Sequence, residues 1–266
     1  RMVLDGAVDL SISSRQLSLQ QAAGFETALR AYVADCVAQG DCVLGDSVEE
    51  GLATIKGLLD QVDQDPMPTS GSRDLEVGNA FYGIVLPLYN RDYWPYLTQG
   101  LEAALDGDGT LLLRFSDIYN SRSARGGYTD NSTEANYAIN CLDNPWSIPA
   151  DEVPAQLPAF EKASPTFGTV FAWGLTGCGG IEVEATEHDR HIDAVGAAPI
   201  VVVGTTRDPA TPYQWAQHLA DQLDSGVLVS RDGDGHTGYN SGNECVDTAI
   251  EDYLVDGTVP EDGLSC

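Results

Sequence analysis

Ile200-Val201-Val202-Val203, entered from Pro199, is an unbroken β-branched run, as expected of a strand covered on both faces. Thr211-Pro212 then opens a helix with Trp215, Leu219 and Leu223 facing inward. Val227-Leu228-Val229 reads as a second short strand, Asp232-Gly233-Asp234-Gly235-His236 as a loop, and Val246, Ile250 and Leu254 mark a last helix. Strand–helix–strand–helix order is the signature of a parallel sheet, so the expected fold class is α/β.

The chain also opens on a stretch, Arg1-Met2-Val3-Leu4-Asp5-Gly6, that reads as a strand running into a turn. Between these sheet segments the pattern is mainly helical. Phe25, Leu29, Tyr32 and Cys36 recur at helical spacing. Ser47 and Glu50 form a capping-box pattern ahead of Val48, Leu52, Ile55, Leu59 and Val62. Asp92 is placed to cap a helix carrying Trp94, Leu97, Leu101 and Leu105, with Pro95 in its first turn and Gly107 beyond its end. Asn131-Ser132-Thr133-Glu134 starts another short helix leading into Cys141, and the proline-rich stretch 145–165 reads as loop with one short helix. Ordinary connections are far shorter, and long helical insertions of this kind are usually caps over a site. The expected organisation is a core strand over 1–9, a helical cap over 10–195, and the rest of the sheet core over 196–266.

The 266 residues suffice for a sizeable core. Forty-one acidic against 13 basic residues give a formal charge of −28, which argues against nucleic acid as a partner, since phosphate contacts need clustered Lys and Arg. No stretch approaches the ~20 apolar residues of a membrane span. No signal peptide opens the chain, and a start within a strand reads as a start within a domain. The six cysteines, Cys36, Cys42, Cys141, Cys178, Cys245 and Cys266, include no C-x-x-C pair and no adjacent histidine, which speaks against zinc. Their even number points to disulfides and an oxidising compartment. Sequential pairing fits the spacing, although the count alone leaves other connectivities open.

Chemistry is expected where strands end, because ligands of open α/β sheets bind at the carboxyl edge. Gly204-Thr205-Thr206-Arg207-Asp208-Pro209 follows directly on a buried strand, and a carboxylate there can orient a histidine; the competing role for Asp208 is a turn before the next helix. His236 lies in a glycine-flanked loop after the next strand, 28 residues beyond Asp208. Together they fill the last two places of the Ser…Asp…His chain order. The G-x-S-x-G motif that would hold a serine nucleophile is absent; Ser70, Ser72 and Ser123 sit in the helical insertion. His188-Asp189-Arg190-His191 reads as a solvated linker, and Asp106-Gly107-Asp108-Gly109 and Asp232-Gly233-Asp234-Gly235 as turns rather than calcium loops. Arg122, Arg125, Gly126 and Gly127 form a basic loop that could serve as a hinge or contact a substrate carboxylate.

Across essentially its whole length the chain resembles the secreted tripeptidyl-aminopeptidase-type α/β-hydrolases of actinobacteria, relatives of prolyl iminopeptidases. The resemblance is densest in Val3-Leu4-Asp5-Gly6-Ala7-Val8-Asp9, in Ala138-Ile139-Asn140-Cys141-Leu142-Asp143 and from Pro199 to Cys266. It implies the C-terminal part of an α/β-hydrolase sheet with a large helical cap, and an exported serine peptidase that releases short peptides from free N-termini. Asp208 and His236 match its acid and histidine motifs, and no cofactor is implied. The expected partners are a peptide substrate and an N-terminal half that carries the nucleophile. An esterase or lipase would use the same acid and histidine, an aspartate nucleophile would make another hydrolase, and a non-catalytic peptide-binding remnant is a rival of a different class.

Overall fold

The computed structural model describes residues 1–181 and 192–266; His188-Asp189-Arg190-His191 lies outside the described residues. In chain order the elements begin with β1 (Met2–Asp5), α1 (Ser14–Gln39), α2 (Val48–Gln64), α3 (Val77–Leu88), α4 (Trp94–Leu105) and α5 (Thr110–Tyr119). They continue with α6 (Ser132–Asp143), α7 (Val153–Ala163), α8 (Gly168–Gly174), β2 (Ile200–Arg207), α9 (Tyr213–Gln222), β3 (Gly226–Asp234), α10 (Glu244–Asp256) and β4 (Leu264–Ser265). They fall into two compact units, Arg1–Ala28 with His188–Cys266, and Leu29–Glu187.

The first unit is built on a sheet of order β1-β2-β3-β4 in which every neighbouring pair is parallel. Alternation along the strands sends Val201, Val203, Val227 and Val229 to one face, where Val246, Ile250 and Tyr253 of α10 cover them. Ile200 and Val202 turn to the other face, against Ala216, Leu219, Ala220 and Leu223. Each fully buried valine stabilises by about 1.5–3 kcal/mol, which is why this run can only be interior. The first half of α1 stands with the sheet. Its Gln20 accepts the Trp215 indole N–H at 2.5 Å, and the Gln21 amide donates to the Ala210 carbonyl at 2.7 Å.

β3 departs from the sequence reading. It continues through Asp232-Gly233-Asp234, which the glycine pattern marked as a turn. Arg207 explains the extension: its guanidinium binds Asp234 at 2.5 Å and Asp232 at 2.8 Å, and past an irregularity at Thr205–Arg207 it pairs in register with Asp234. Cross-strand ion pairing outweighs the weak β-propensity of Asp and Gly here.

The second unit is helical. Ser47 Oγ accepts the Glu50 N–H at 3.2 Å and so caps α2, but the Glu50 carboxylate reaches back to the Asp46 N–H at 2.9 Å, one residue beyond the usual capping-box partner. Asp92 does not cap the next helix: the Asn90 side chain accepts the Asp92 N–H at 2.9 Å and caps a 3₁₀ turn, Arg91–Tyr93, ahead of α4. α3 and α5 meet at Gly83, where a Cβ would lie 2.3 Å from the Leu112 carbonyl oxygen, so glycine alone permits the approach. Among the described residues no helix is long and apolar enough to cross a membrane.

The six cysteines are joined in sequence order, Cys36–Cys42, Cys141–Cys178 and Cys245–Cys266, with Cα separations of 5.3, 5.5 and 5.7 Å. The last bridge ties α10 to the chain's final residue, beside Asn243, which caps α10 and also donates to the Cys266 carbonyl. The bridge at Cys141 carries the most weight locally, because Cys141 is the one buried residue of α6. Removing it by Cys141→Ser with Cys178→Ser forfeits roughly 3–4 kcal/mol of loop-closure stabilisation. Hydrogen exchange is expected to lose its protection over Ser132–Asp143 while Val201–Val203 stay protected; an α6 as protected as before would show that its packing suffices.

Candidate active site

Because β1, β2 and β3 run parallel, their carboxyl ends share one edge of the sheet, and one polar group is supplied there at or just after the end of each strand: Asp5, Asp208 and His236. Asp208 and His236 meet: His236 Nδ1 lies 3.0 Å from both carboxylate oxygens of Asp208. The Asp208 side chain is fully buried, while that of His236 is 30 % exposed, so the ring bridges the interior and the surface.

The turn role and the paired role of Asp208 coincide. Its Oδ1 accepts the N–H groups of Ala210 at 2.9 Å and Thr211 at 2.8 Å, closing the turn into α9. Its Oδ2 accepts the Thr211 hydroxyl at 3.0 Å and the Thr237 N–H at 3.1 Å. A carboxylate surrounded by donors accepts from the histidine as well, which places the proton on Nδ1 and the basic lone pair on Nε2. Burial disfavours the charged ring, but the hydrogen bond and charge of Asp208, with the charge of Asp5, outweigh it. The His236 pKa is held above the ordinary 6.5.

The loop that carries His236 is conformationally specialised. Gly235 sits at φ +100° and Thr237 at φ +69°, a left-handed conformation that a β-branched residue adopts only when its surroundings impose it. Thr205 Oγ donates to the Thr237 carbonyl at 3.0 Å, and the next two N–H groups, of Gly238 and Tyr239, are both bound by Asp5. Sequence reasoning missed Thr211 and the roles of Asp5 and Gly6. The available signal was Asp-Gly at the carboxyl end of a strand, the same position that singled out Asp208.

The serines near glycine or arginine, Ser70, Ser72 and Ser123, all lie in the helical unit, and none follows a strand of the sheet. The basic loop at Arg122 folds back through a bridge to Tyr128, with the Arg122 guanidinium 3.9 Å from Asp117.

Comparison with known proteins places this geometry in context. Residues 164–266 match the family described as TAP-like protein. Over 275 residues the chain is 36 % identical to the serine protease Hip1 of Mycobacterium tuberculosis, a match that covers 100 % of the chain and 52 % of that protein. It is 38 % identical over 273 residues to carboxylesterase B of the same organism, covering 100 % of the chain and 51 % of the relative. The tripeptidyl aminopeptidase of Streptomyces lividans is 22 % identical over 147 residues, 55 % of this chain and 27 % of that enzyme. The chain thus spans about half the length of the first two relatives. With a parallel sheet covered on both faces and relatives that align along the whole chain, residues 164–266 belong to the TAP-like family of α/β-hydrolases.

Proposed function

We propose that the chain supplies the acid and the base of a serine hydrolase, with Asp208 as the acid and His236 as the base. The observation that carries this reading is the 3.0 Å contact between the buried Asp208 carboxylate and His236 Nδ1 at the carboxyl edge of the sheet. In the proposed mechanism a serine hydroxyl attacks the substrate carbonyl while His236 Nε2 takes its proton, and the tetrahedral intermediate collapses as His236 returns that proton to the leaving group. Asp208 stays ionised throughout; it fixes the tautomer and stabilises the imidazolium. Water then repeats the sequence on the acyl-enzyme. The serine, and the backbone amides that hold the oxyanion, are proposed to come from outside these 266 residues. Residues 10–195 are proposed to act as the cap.

The preferred substrate is a peptide with a free N-terminus and the preferred setting is extracytoplasmic. Relatives named serine protease and tripeptidyl aminopeptidase support the first, and three disulfides support the second. Ester hydrolysis is a second reading, favoured by the equally similar relative named carboxylesterase B. The test uses the polypeptide that contains this chain together with its nucleophile. It is assayed on N-terminally free peptide amides, the same peptides with blocked N-termini, and p-nitrophenyl esters, each with a His236→Ala control. Hydrolysis of the free peptides alone, lost in the control, is the expected outcome. Esters cleaved without peptides would establish the second reading, and turnover indifferent to His236→Ala would overturn both.

A further inference from the structure

Asp5 is the last residue of β1 and has no part in the proton transfers above, yet its carboxylate is committed entirely to the loop after His236. Its Oδ1 accepts the Gly238 N–H at 2.8 Å, and its Oδ2 accepts Gly238 at 3.0 Å and Tyr239 at 2.8 Å. The preceding N–H, of Thr237, goes to Asp208. Three consecutive N–H groups are thus collected by two carboxylates from two neighbouring strands, which is what holds Thr237 in its left-handed conformation. Gly6 completes the support. It sits at φ +67°, its N–H donates to the Val203 carbonyl at 3.3 Å, and a Cβ on it would lie 2.9 Å from His236 Cε1 and 3.1 Å from Thr237 Cγ2. The imidazole therefore occupies space that a side chain at position 6 would need.

We propose that Asp5 is a positioning residue for His236: by binding the Gly238 and Tyr239 amides it fixes the loop that carries the ring. The inference rests on the assignment of His236 as the base. Charged groups that bear on the ring include Asp208, just after β2, and Asp5 at the end of β1, and Arg231 on β3 interacts electrostatically with both carboxylates. Asp5 thus acts on the histidine through charge as well as through the backbone, and a purely structural carboxylate would do only the second.

The test is an NMR titration of the histidine rings in the 266-residue chain, with His236 assigned by its loss in His236→Gln. Three variants are compared with the parent, and hydrogen exchange at Val201–Val203 serves as the check on folding. Asp5→Asn keeps one acceptor oxygen and removes the charge, and it is expected to lower the His236 pKa by roughly 0.5–1 unit. Asp5→Ala removes the acceptor too, and the Gly238 and Tyr239 amides are expected to lose their protection as well. An unchanged His236 titration in Asp5→Asn overturns the proposal, and so does collapse of the sheet in that variant, which would make Asp5 a determinant of the fold. Asp208→Asn separates the two assignments. No fall in the His236 pKa there refutes the Asp208–His236 pair itself, whereas a fall there with none in Asp5→Asn refutes only the role of Asp5.

Discussion

Asp208→Asn is expected to reduce turnover of the complete enzyme by about 10⁴-fold, the scale seen when a triad acid loses its charge and the histidine takes the wrong tautomer. The geometry gives the reason. Asparagine offers one acceptor oxygen where Asp208 now accepts from Ala210, Thr211, Thr237 and His236, so its amide hydrogens must face groups that are themselves donors. A buried donor left without an acceptor costs about 1–3 kcal/mol, and the variant should melt earlier as well as react more slowly. The pH profile identifies the cause. A general base works unprotonated, and the His236 pKa is raised above 6.5, so kcat/KM of the parent is expected to fall as pH drops through a value above 6.5. In Asp208→Asn that acid limb should move down. The stability contribution of the same shift has the opposite sense: present in full below about pH 6.5, it is lost as pH rises through the raised value. An Asp208→Asn enzyme with its rate and acid limb intact would remove Asp208 from the mechanism.

The 266 residues assayed by themselves are expected to hydrolyse neither peptides nor esters, and to gain activity on co-expression with a segment that carries the nucleophile. An acid–histidine pair cannot form an acyl-enzyme, and loss of a triad serine lowers the rate on the order of 10⁶-fold. The sheet also has room for such a segment, because among the described residues β1 pairs only with β2 and its other edge bears unpaired backbone groups. Co-purification of the two segments, with turnover that His236→Ala abolishes, is the expected result. Turnover by the 266 residues alone that is lost in His236→Ala would instead place the nucleophile among their own serines, with Ser70, Ser72 and Ser123 the first to replace.

Where burial and charge alternation govern, the sequence was readable. The β-branched run at Ile200–Val203, the inner face of α9 and the Asp208–His236 pair follow from period and chain order; on α10 Val246 and Ile250 do too, but Leu254 is exposed and Tyr253 is buried in its stead. What escaped were features decided by partners distant in sequence. Glycine at 233 signals a turn locally, but Arg207 on the neighbouring strand turns the same residues into an ion-paired extension of β3. Asn90 took the cap that Asp92 was expected to make because a 3₁₀ turn intervenes before α4, a one-turn shift invisible to apolar spacing. Asp5 looked like the end of a strand and nothing more, since its partners lie beyond position 236.

Those partners have a further consequence, in time rather than in space. The bond from Gly238 to Asp5 joins residues 233 positions apart, and contacts across so long a span close late, because the loop entropy must be met before the contact forms. A ribosome releasing this chain exposes β1 before the helical unit, and the helical unit before the His236 loop. The base of the proposed catalytic pair can therefore reach its final orientation only after the helical unit has emerged and β1 has been kept available to receive the loop. Chain order by itself thus makes the anchoring of the proposed base a late event, one that waits for the whole helical unit to be made.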